Sequence, residues 1–427
     1  SRCYPGRAPS PEPFGPHDAK QCEDTFWRGA LHVEGKLLTR GVFGCARRRP
    51  YPFDHGKTPM APPPRITITQ VAAEAGVSTA TAGRALGGYG YASDEVSARV
   101  QAAARKLGYK PNMVARSLVT GRSQTIGVVA ADIDNAFYAR VLRGIGDVAR
   151  SRGFGVILTN SDENLEREME AVQLLLEKRV DGLIITPCDI RGSEHLRNLI
   201  AGGCPTVQID RAAYDLAADS VTVDNRGAAR EAVAHLLKAG HRRIGIIAEL
   251  EQIENGSLKD FVAQAVSSPV TAETLYPSWQ RLLGYLDAHR DADVPVQTQL
   301  IRRAGAYSSG AARHEAVELL ESGPRPTAVF AADGTMSHGL MQAIADLKIT
   351  VPDQLSVVCF DDLDWMTFMQ PAITSVHQPV HRIGSMAAEL LLARIAGETS
   401  VPKHNVLEAR LNIRDSVGPP AHQVETN

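Results

Sequence analysis

Residues 66–86 read ITITQVAAEAGVSTATAGRAL and contain two short helical patterns on either side of Gly76. The first pattern predicts a helix over 69–75, and the second predicts one over 78–86 that Ser78 can cap. Two helices joined by a glycine-containing turn are typical of a helix-turn-helix, whose second helix enters the major groove of DNA. The alternative is a generic three-helix bundle with an exposed arginine.

The second helix of this pair is built from small side chains. The major groove is about 12 Å wide and admits a helix whose leading face is not bulky. Thr79, Ala80 and Thr81 suit such a tip, and Arg84 lies about one turn later, within reach of a base edge or a phosphate. Gly83 lowers helix propensity by about 1 kcal/mol relative to alanine. We therefore expect a thin recognition helix that is weak without DNA.

A different pattern begins at Thr125, after a third helix predicted from Ser93 to Gly108 and a short piece that starts at Pro111. Short apolar strands alternate with amphipathic helices as far as residue 396. This alternation is typical of parallel sheets with crossover helices. The segment is too long for one such sheet, so it predicts two lobes.

Charge is unevenly distributed along the 427 residues. Residues 1–59 and 60–122 carry +4 and +5, so residues 123–427 carry −11 within a whole-chain formal charge of −2. A small basic segment joined to a large acidic body is typical of a nucleic-acid-binding module attached to a domain of another kind.

The first 64 residues are rich in proline, glycine and arginine and have no helical or strand periodicity. We expect 1–64 to be a disordered or non-native extension, with translation starting at Met60, and 417–427 to be a tail. Tryptic peptides from 1–59 of the native protein would contradict that start. No charged-then-apolar signal segment or run of about 18 apolar residues is present, which predicts a cytoplasmic protein without membrane contact.

The sequence contains few signs of catalytic or metal chemistry. The six cysteines form no CxxC pair and no Cys/His grouping at zinc spacing, so we expect free thiols and no metal or cofactor. There is no GxSxG, P-loop, metal-spaced histidine cluster or GxGxxG after a strand, so an enzyme is not expected. A periplasmic solute-binding receptor would share the two-lobed body but would need a signal peptide and would lack residues 66–121.

Two consecutive stretches read ITITQVAAEAGVSTATAGRAL and then SDEVSARVQAAARKLGYKPNMVARSLVTGRSQTIGVV. Together they closely resemble the start of the lactose-repressor (LacI/GalR) family of bacterial transcription regulators. The resemblance runs on to about residue 416. It implies a small all-α helix-turn-helix headpiece and an α/β two-lobed, periplasmic-binding-protein-like body with two parallel doubly wound sheets. The implied boundaries are a headpiece over 66–110, a hinge helix and linker over 111–122, and a body over 123–416 with lobe crossovers near 222–225, 374–379 and 397–402.

The resemblance implies nine DNA-contacting residues. They are Thr69, Ser78, Thr79, Ala80, Thr81, Arg84, Asn112, Arg116 and Leu118. Ala82-Gly83 stands where the family usually has Val-Ser. Leu118 is expected to enter the central minor-groove step as an apolar wedge, and the alternative is an ordinary packing residue.

The resemblance also implies an effector site in the cleft between the lobes, at the carboxyl ends of the strands. The candidates are Phe137, Tyr138, Asp189, Arg211, Arg281, Asp333, Asp361 and Trp365. Aromatic rings that stack on a ring face, beside aspartates and arginines that bond hydroxyls or a carboxylate, suit a sugar or sugar-acid-like effector. Two departures are Asp333-Gly334, where the family usually has Asn-Asp, and a longer connection over 251–277.

Family membership further implies a homodimer that binds a pseudo-palindromic double-stranded operator. No leucine heptad follows residue 416, so tetramers formed through the tail are not expected. We expect a repressor of a carbohydrate uptake or catabolic operon, with repression relieved when a sugar-type effector shifts the lobes.

Overall fold

The computed structural model describes residues 66–87, 91–110, 121–250, 257–268, 270–272, 274–323 and 325–420. Several expectations fall on residues outside these ranges. They are the extension over 1–64 with its start at Met60, the hinge candidates Asn112, Arg116 and Leu118, and the first part of the connection over 251–277.

The headpiece consists of three helices, α1 (Ile68–Ala75), α2 (Thr79–Gly87) and α3 (Asp94–Leu107). α1 begins at a capping box in which Thr67 and Gln70 satisfy each other's backbone N–H groups. It ends at Gly76, whose φ of 66° suits glycine because that residue has no Cβ. These local signals explain why the sequence predicted the helix boundaries to within about two residues.

A small apolar core holds the headpiece helices together. Its buried members are Val71, Ala72, Ala75, Ala82, Val100, Ala103 and Ala104. Five of the seven are alanines, so the helices approach closely. Ala82 is fully buried, so the face of α2 opposite to Ala82 points away from the core.

The body contains two six-stranded sheets. The first has the order β11-β5-β4-β3-β1-β2 and the second the order β12-β10-β9-β8-β6-β7. The first sheet consists of β1 (Thr125–Ala130), β2 (Gly155–Asn160), β3 (Leu183–Ile185), β4 (Thr206–Asp210), β5 (Asp219–Val223) and β11 (His404–Leu407). The second consists of β6 (Ile244–Ala248), β7 (Ile301–Arg303), β8 (Ala328–Ala331), β9 (Ser356–Phe360), β10 (Thr374–His377) and β12 (Arg410–Asn412).

Helices flank both sheets, as the alternating pattern predicted. They are α4 (Ala136–Ser151), α5 (Leu165–Glu177), α6 (Glu194–Ala201), α7 (Asn225–Lys238), α8 (Leu258–Ser267), α9 (Pro277–Asp291), α10 (Ser309–Glu321), α11 (Gly334–Asp346), α12 (Asp364–Phe368) and α13 (Val380–Ile395). All strand pairs are parallel except β10 with β12, which is antiparallel, so the second sheet is not purely parallel as expected. In the described ranges no helix combines the length and hydropathy needed to cross a bilayer.

The chain passes between the lobes three times. The first passage follows β5, and the second lies between β10 and α13, which packs on α4 of the first lobe. The positions expected for these two crossings were 222–225 and 374–379. The third passage lies at 408–409, between β11 and β12, and the expected position at 397–402 is wrong. Gly397 only ends α13, after which β11 still pairs with β5 of the first lobe.

Glycines permit close helix packing at the contact between α4 and α13. A Cβ added at Gly384 would lie 2.0 Å from the carbonyl oxygen of Val141, and one added at Gly144 would lie 2.2 Å from that of His381. The two helices therefore touch backbone to backbone. Gly146, also on α4, has open space around it.

A buried ion pair fixes the other end of α13. Arg394 donates from Nε and Nη2 to the two carboxylate oxygens of Asp219, at 2.7 and 2.9 Å. The Asp219 side chain is only 1% exposed. The same guanidinium donates to the carbonyl groups of Glu398, Ser400 and Val401, so it ties α13, β5 and the following loop together.

Asp362 forms a second ionic cluster at the end of β9, and we expect it to make stability depend on acid pH. Burial raises the pKa of Asp362, but hydrogen bonds from Arg414, Ser375 and Asn412 outweigh burial and lower the pKa to about 2. The unfolded value is about 3.9, so the stabilisation is complete well above pH 4 and is lost as the pH falls through about 2. Asp362→Asn should cost about 2 kcal/mol of unfolding free energy at pH 7 and should reduce the pH slope below pH 4.5.

Urea denaturation at several pH values tests this expectation. Asp364→Asn is the matched control, because that carboxylate is 90% exposed and its ion pair with Arg140 contributes little. Equal pH slopes for the wild type and Asp362→Asn would contradict the assignment.

Candidate effector cavity and DNA-binding helix

The outward face of α2 carries the short polar side chains that the sequence predicted at its tip. Thr79 and Ala80 are exposed, as are Arg84 and, on α1, Thr69. Ser78 precedes the helix and its Oγ accepts a hydrogen bond from the backbone N–H of Thr81 at 3.1 Å, which is an N-cap contact. The arrangement leaves the first turn of α2 unobstructed for approach to a groove.

A cavity of about 290 Å³ lies between the two lobes of the body. Six of the eight candidates from the sequence line it, and they come from both lobes. They are Phe137, Tyr138, Arg211, Arg281, Asp333 and Asp361. The loops after β4, β8 and β9 supply Arg211, Asp333 and Asp361, the first turn of α4 supplies Phe137 and Tyr138, and α9 supplies Arg281. Five of these six therefore come from segments that follow a strand, in keeping with the rule that ligands lie at the carboxyl ends of strands.

Asp189 and Trp365 lie outside the described lining, contrary to the expectation. Asp189 Oδ1 accepts the backbone N–H of Arg191 at 2.7 Å and so shapes the turn before α6, while Cys188 takes the place in the wall. Trp365 lies on α12 and packs against the apolar core of the second lobe.

The sequence analysis did not single out twelve of the eighteen residues in the wall. The missed residues are Asp132, Asn135, Glu163, Cys188, Asp210, Glu249, Tyr276, Pro277, Ser278, Gly305, Tyr307 and Gln378. Asp210 is the last residue of β4 and Glu249 directly follows β6, so position at the end of a strand could have identified both. Gln378 directly follows β10, a strand that the sequence did not predict, and Tyr307 lies in the short connection between β7 and α10.

Arg281 holds a fixed position at the floor of the cavity and is 6% exposed. Its Nε donates to Asn225 Oδ1 at 2.9 Å and its Nη1 donates to the carbonyl oxygen of Ala332 at 2.8 Å. The guanidinium lies over the ring of Phe360, with its carbon 3.9 Å from the ring centroid. The hydrogen bonds and the stacking hold the fork rigid.

Two carboxylates of the second lobe flank this guanidinium. Asp333 Oδ1 accepts the backbone N–H groups of Thr335 and Met336 and so caps α11. Asp361 accepts the backbone N–H of Gly334 at 2.8 Å and the amide of Gln378 at 2.5 Å. Burial and the nearby Asp361 raise the pKa of Asp333 to about 6.

The first lobe contributes an aromatic and ionic wall. The rings of Phe137 and Tyr138 meet edge to face at 5.0 Å. The Tyr138 hydroxyl donates to Asp210 Oδ2 at 3.3 Å, and burial together with the charge of Asp210 raises the pKa of Tyr138 well above its usual value. Arg211 forms an ion pair with Glu163. These groups present one apolar ring face beside hydrogen-bonding groups.

Direct hydrogen bonds join the lobes around the cavity. Asn135 Nδ2 donates to the Tyr307 hydroxyl at 2.8 Å, and the Tyr276 hydroxyl donates to the carbonyl oxygen of Cys188 at 3.0 Å. Arg140 donates to the carbonyl oxygen of Asp362 at 3.2 Å. A movement of one lobe against the other must break these contacts. Within the described residues there is no group of three or more His, Cys, Asp or Glu side chains that could hold a metal ion.

Comparison with known proteins identifies both parts of the chain. Residues 67–112 match the description "Bacterial regulatory proteins, lacI family", and residues 233–417 match "Periplasmic binding protein-like domain". Catabolite control protein A of Priestia megaterium is 33% identical over 353 residues, which cover 82% of this chain and 99% of that protein. The chain belongs to the lacI family of bacterial regulatory proteins.

Other members of the lacI family agree with this assignment. The HTH-type transcriptional repressor PurR of Proteus mirabilis is 31% identical, with 82% of this chain and 96% of that protein covered. The structure of a lacI-family regulator from Enterococcus faecium with bound ribose is 26% identical, has a TM-score of 0.56, and covers 69% of this chain and 99% of that one.

The lacI-family assignment settles the broad function. The protein is a DNA-binding transcriptional repressor and not an enzyme. The resemblance and the fold class predicted from the sequence are confirmed. A solute-binding receptor without a DNA function does not account for the match over residues 67–112.

Proposed function

We propose that this lacI-family repressor controls an operon for carbohydrate uptake or catabolism and releases its operator when a sugar-like effector occupies the interlobe cavity. The observation that carries the proposal is the convergence of Phe137, Tyr138, Arg211, Arg281 and Asp361 on one cavity. A ring face and fixed charged hydrogen-bonding groups recognise polyhydroxy rings. The relative from Enterococcus faecium, whose structure contains ribose, supports an effector of about the size of that sugar.

The cavity's position supports control of the DNA-binding state. Hydrogen bonds such as Asn135 to Tyr307 join the lobes beside the site, so an effector that binds one lobe arrangement better shifts the population toward it. In the sequence, residues 111–122 connect this body to the headpiece. A repressor of this kind works in the cytoplasm, where bacterial DNA lies.

An exposed apolar surface supports assembly as a homodimer. β2 is an edge strand of the first sheet, and it and the adjacent α5 expose Val156, Leu158, Met169 and Leu174 by 38–49%. A cluster of exposed apolar side chains marks an interaction surface. A two-fold dimer through this surface would place two headpieces on a pseudo-palindromic operator.

The proposal is tested by pull-down of genomic fragments on the full chain, followed by sequencing. We expect a pseudo-palindromic motif beside a carbohydrate uptake or catabolic operon, and release of the fragment in a gel shift when the cognate sugar is added. Absence of an enriched motif, with and without candidate sugars, would overturn the operator assignment.

Arg84 is expected to read the operator sequence rather than to supply charge alone. Arg84→Ala should weaken binding to the recovered operator by about 1–3 kcal/mol and relax specificity at one base pair. Arg99→Ala is the matched control, because that exposed arginine lies on α3 and its loss removes the same charge. Equal losses for both variants on operator and random DNA would contradict a base contact by Arg84.

A further inference from the structure

The interlobe cavity has an excess of negative charge. Its described lining contains six carboxylates and two guanidinium groups, with no lysine or histidine. Glu163 neutralises Arg211 through an ion pair. Arg281 donates to two neutral oxygens, those of Asn225 and Ala332. Five carboxylates therefore share the single remaining cation.

Asp333 is the most exceptional of these carboxylates because it is only 3% exposed. Its Oδ1 accepts both backbone hydrogen bonds at the start of α11. Its Oδ2 accepts no hydrogen bond from any residue in the described ranges, although Asp333 lines the cavity. Oδ2 is therefore an acceptor open to the cavity, and a donor on a bound ligand can pair with it.

The groups around Asp333 favour a positively charged hydrogen-bond donor on the ligand. Burial raises the pKa of both Asp333 and Asp210, and Asp361 lies close enough to add to the increase in each. Ionised carboxylates only accept hydrogen bonds, so the groups facing them on the ligand must donate. A phosphate or carboxylate on the ligand would add like charge to a poorly solvated site. The sugar-acid part of the sequence-based expectation is therefore disfavoured by the structure.

We propose that the effector is a monosaccharide-sized amino sugar whose protonated amine lies against Asp333 and Asp361. This proposal rests on the proposed sugar-sensing function of the cavity and deepens it. The amine supplies the charge that balances the excess of carboxylates, and a charge-assisted hydrogen bond to Asp333 Oδ2 is stronger than one from a hydroxyl. The hydroxyl groups of the sugar ring donate hydrogen bonds to the remaining acceptor oxygens of the cavity. Phe137 and Tyr138 cover the apolar face of the ring.

Isothermal titration of the full chain with matched sugars tests the proposal. The probes are glucosamine, galactosamine and mannosamine, each against its neutral parent, with glucuronate and galacturonate as anionic counterparts. We expect one amine to bind about tenfold or more tightly than its parent, a difference of about 1.4 kcal/mol. The uronic acids should bind weakest.

The outcomes separate this proposal from the sugar-sensing function. If a neutral parent binds as tightly as its amine, or if no amine binds, the amino-sugar assignment is overturned. Binding of a neutral sugar with release of operator DNA would leave the sugar-sensing function standing. No binding by any member of the panel would count against both.

Asp333→Asn tests the residue that carries the argument, because the amide has the same shape but no charge. We expect the amine's affinity to fall by about tenfold and the parent's to change by less than about threefold. Asp189→Asn is the matched control outside the cavity wall and should change neither. Thermal melting and operator affinity without effector report that each variant is folded. Equal changes for amine and parent in Asp333→Asn would overturn the proposal.

Discussion

Arg394→Met is expected to lower the free energy of unfolding by about 3–5 kcal/mol, because it leaves a buried charge without its partner. Asp219 is almost completely buried, and besides the two hydrogen bonds from Arg394 it accepts the backbone N–H of Lys403. Methionine keeps much of the length and apolar bulk of arginine but cannot donate. The loss should appear as a lower midpoint in urea denaturation.

Arg382→Met is the matched control on the same helix. Arg382 pairs with Glu389 at the surface, where both side chains are about half exposed, and such pairs contribute about 0–1 kcal/mol. The same substitution therefore separates a buried ion pair from an exposed one. Similar midpoints for the two variants would show that Arg394 contributes no more than a surface arginine.

Gly384→Ala is expected to destabilise the protein by about 3 kcal/mol, near the upper end for overpacking. The added Cβ would meet the backbone of Val141 at 2.0 Å, and backbone cannot move aside as a flexible side chain can. α13 must therefore shift away from α4, which separates part of the first lobe's core.

Gly146→Ala provides the comparison for that substitution. Gly146 lies in the middle of α4 with nothing within 4 Å of an added Cβ, so alanine should stabilise the helix by up to about 1 kcal/mol. If the contact between α4 and α13 is the cause, chemical denaturation should show a lower free energy of unfolding for Gly384→Ala and a higher one for Gly146→Ala. Destabilisation of the same size by both would contradict this account.

Local signals in the sequence were sufficient to predict most of the secondary structure. The helix ends at Gly76 and Gly108 and the cap at Ser93 depend on neighbouring residues only. α8, α12, β10, β11 and β12 were not predicted. β11 and β12 are short, lie at sheet edges and expose much of their surface, so they lack the apolar runs that identified the central strands.

The effector cavity was only partly predictable for a related reason. The general geometry of parallel sheets predicts that residues directly after buried strands, such as Arg211 and Asp361, line the cavity. Tyr307 reaches the site through its contact with Asn135 in the other lobe, 172 positions away in sequence. Such a contact depends on how the lobes meet, which no local pattern in the sequence encodes.

The passage at 408–409 has a consequence for how this protein is made on the ribosome. The first lobe needs α13 and β11, which are synthesised after β6 to β10 of the second lobe, although β1 to β5 emerge early. The nascent chain therefore carries an unfinished first sheet, with the outer edge of β5 uncovered, throughout synthesis of the second lobe. The three headpiece helices pack on one another and can fold long before then. A stop codon before residue 404 would release a chain with a headpiece but without a completed lobe.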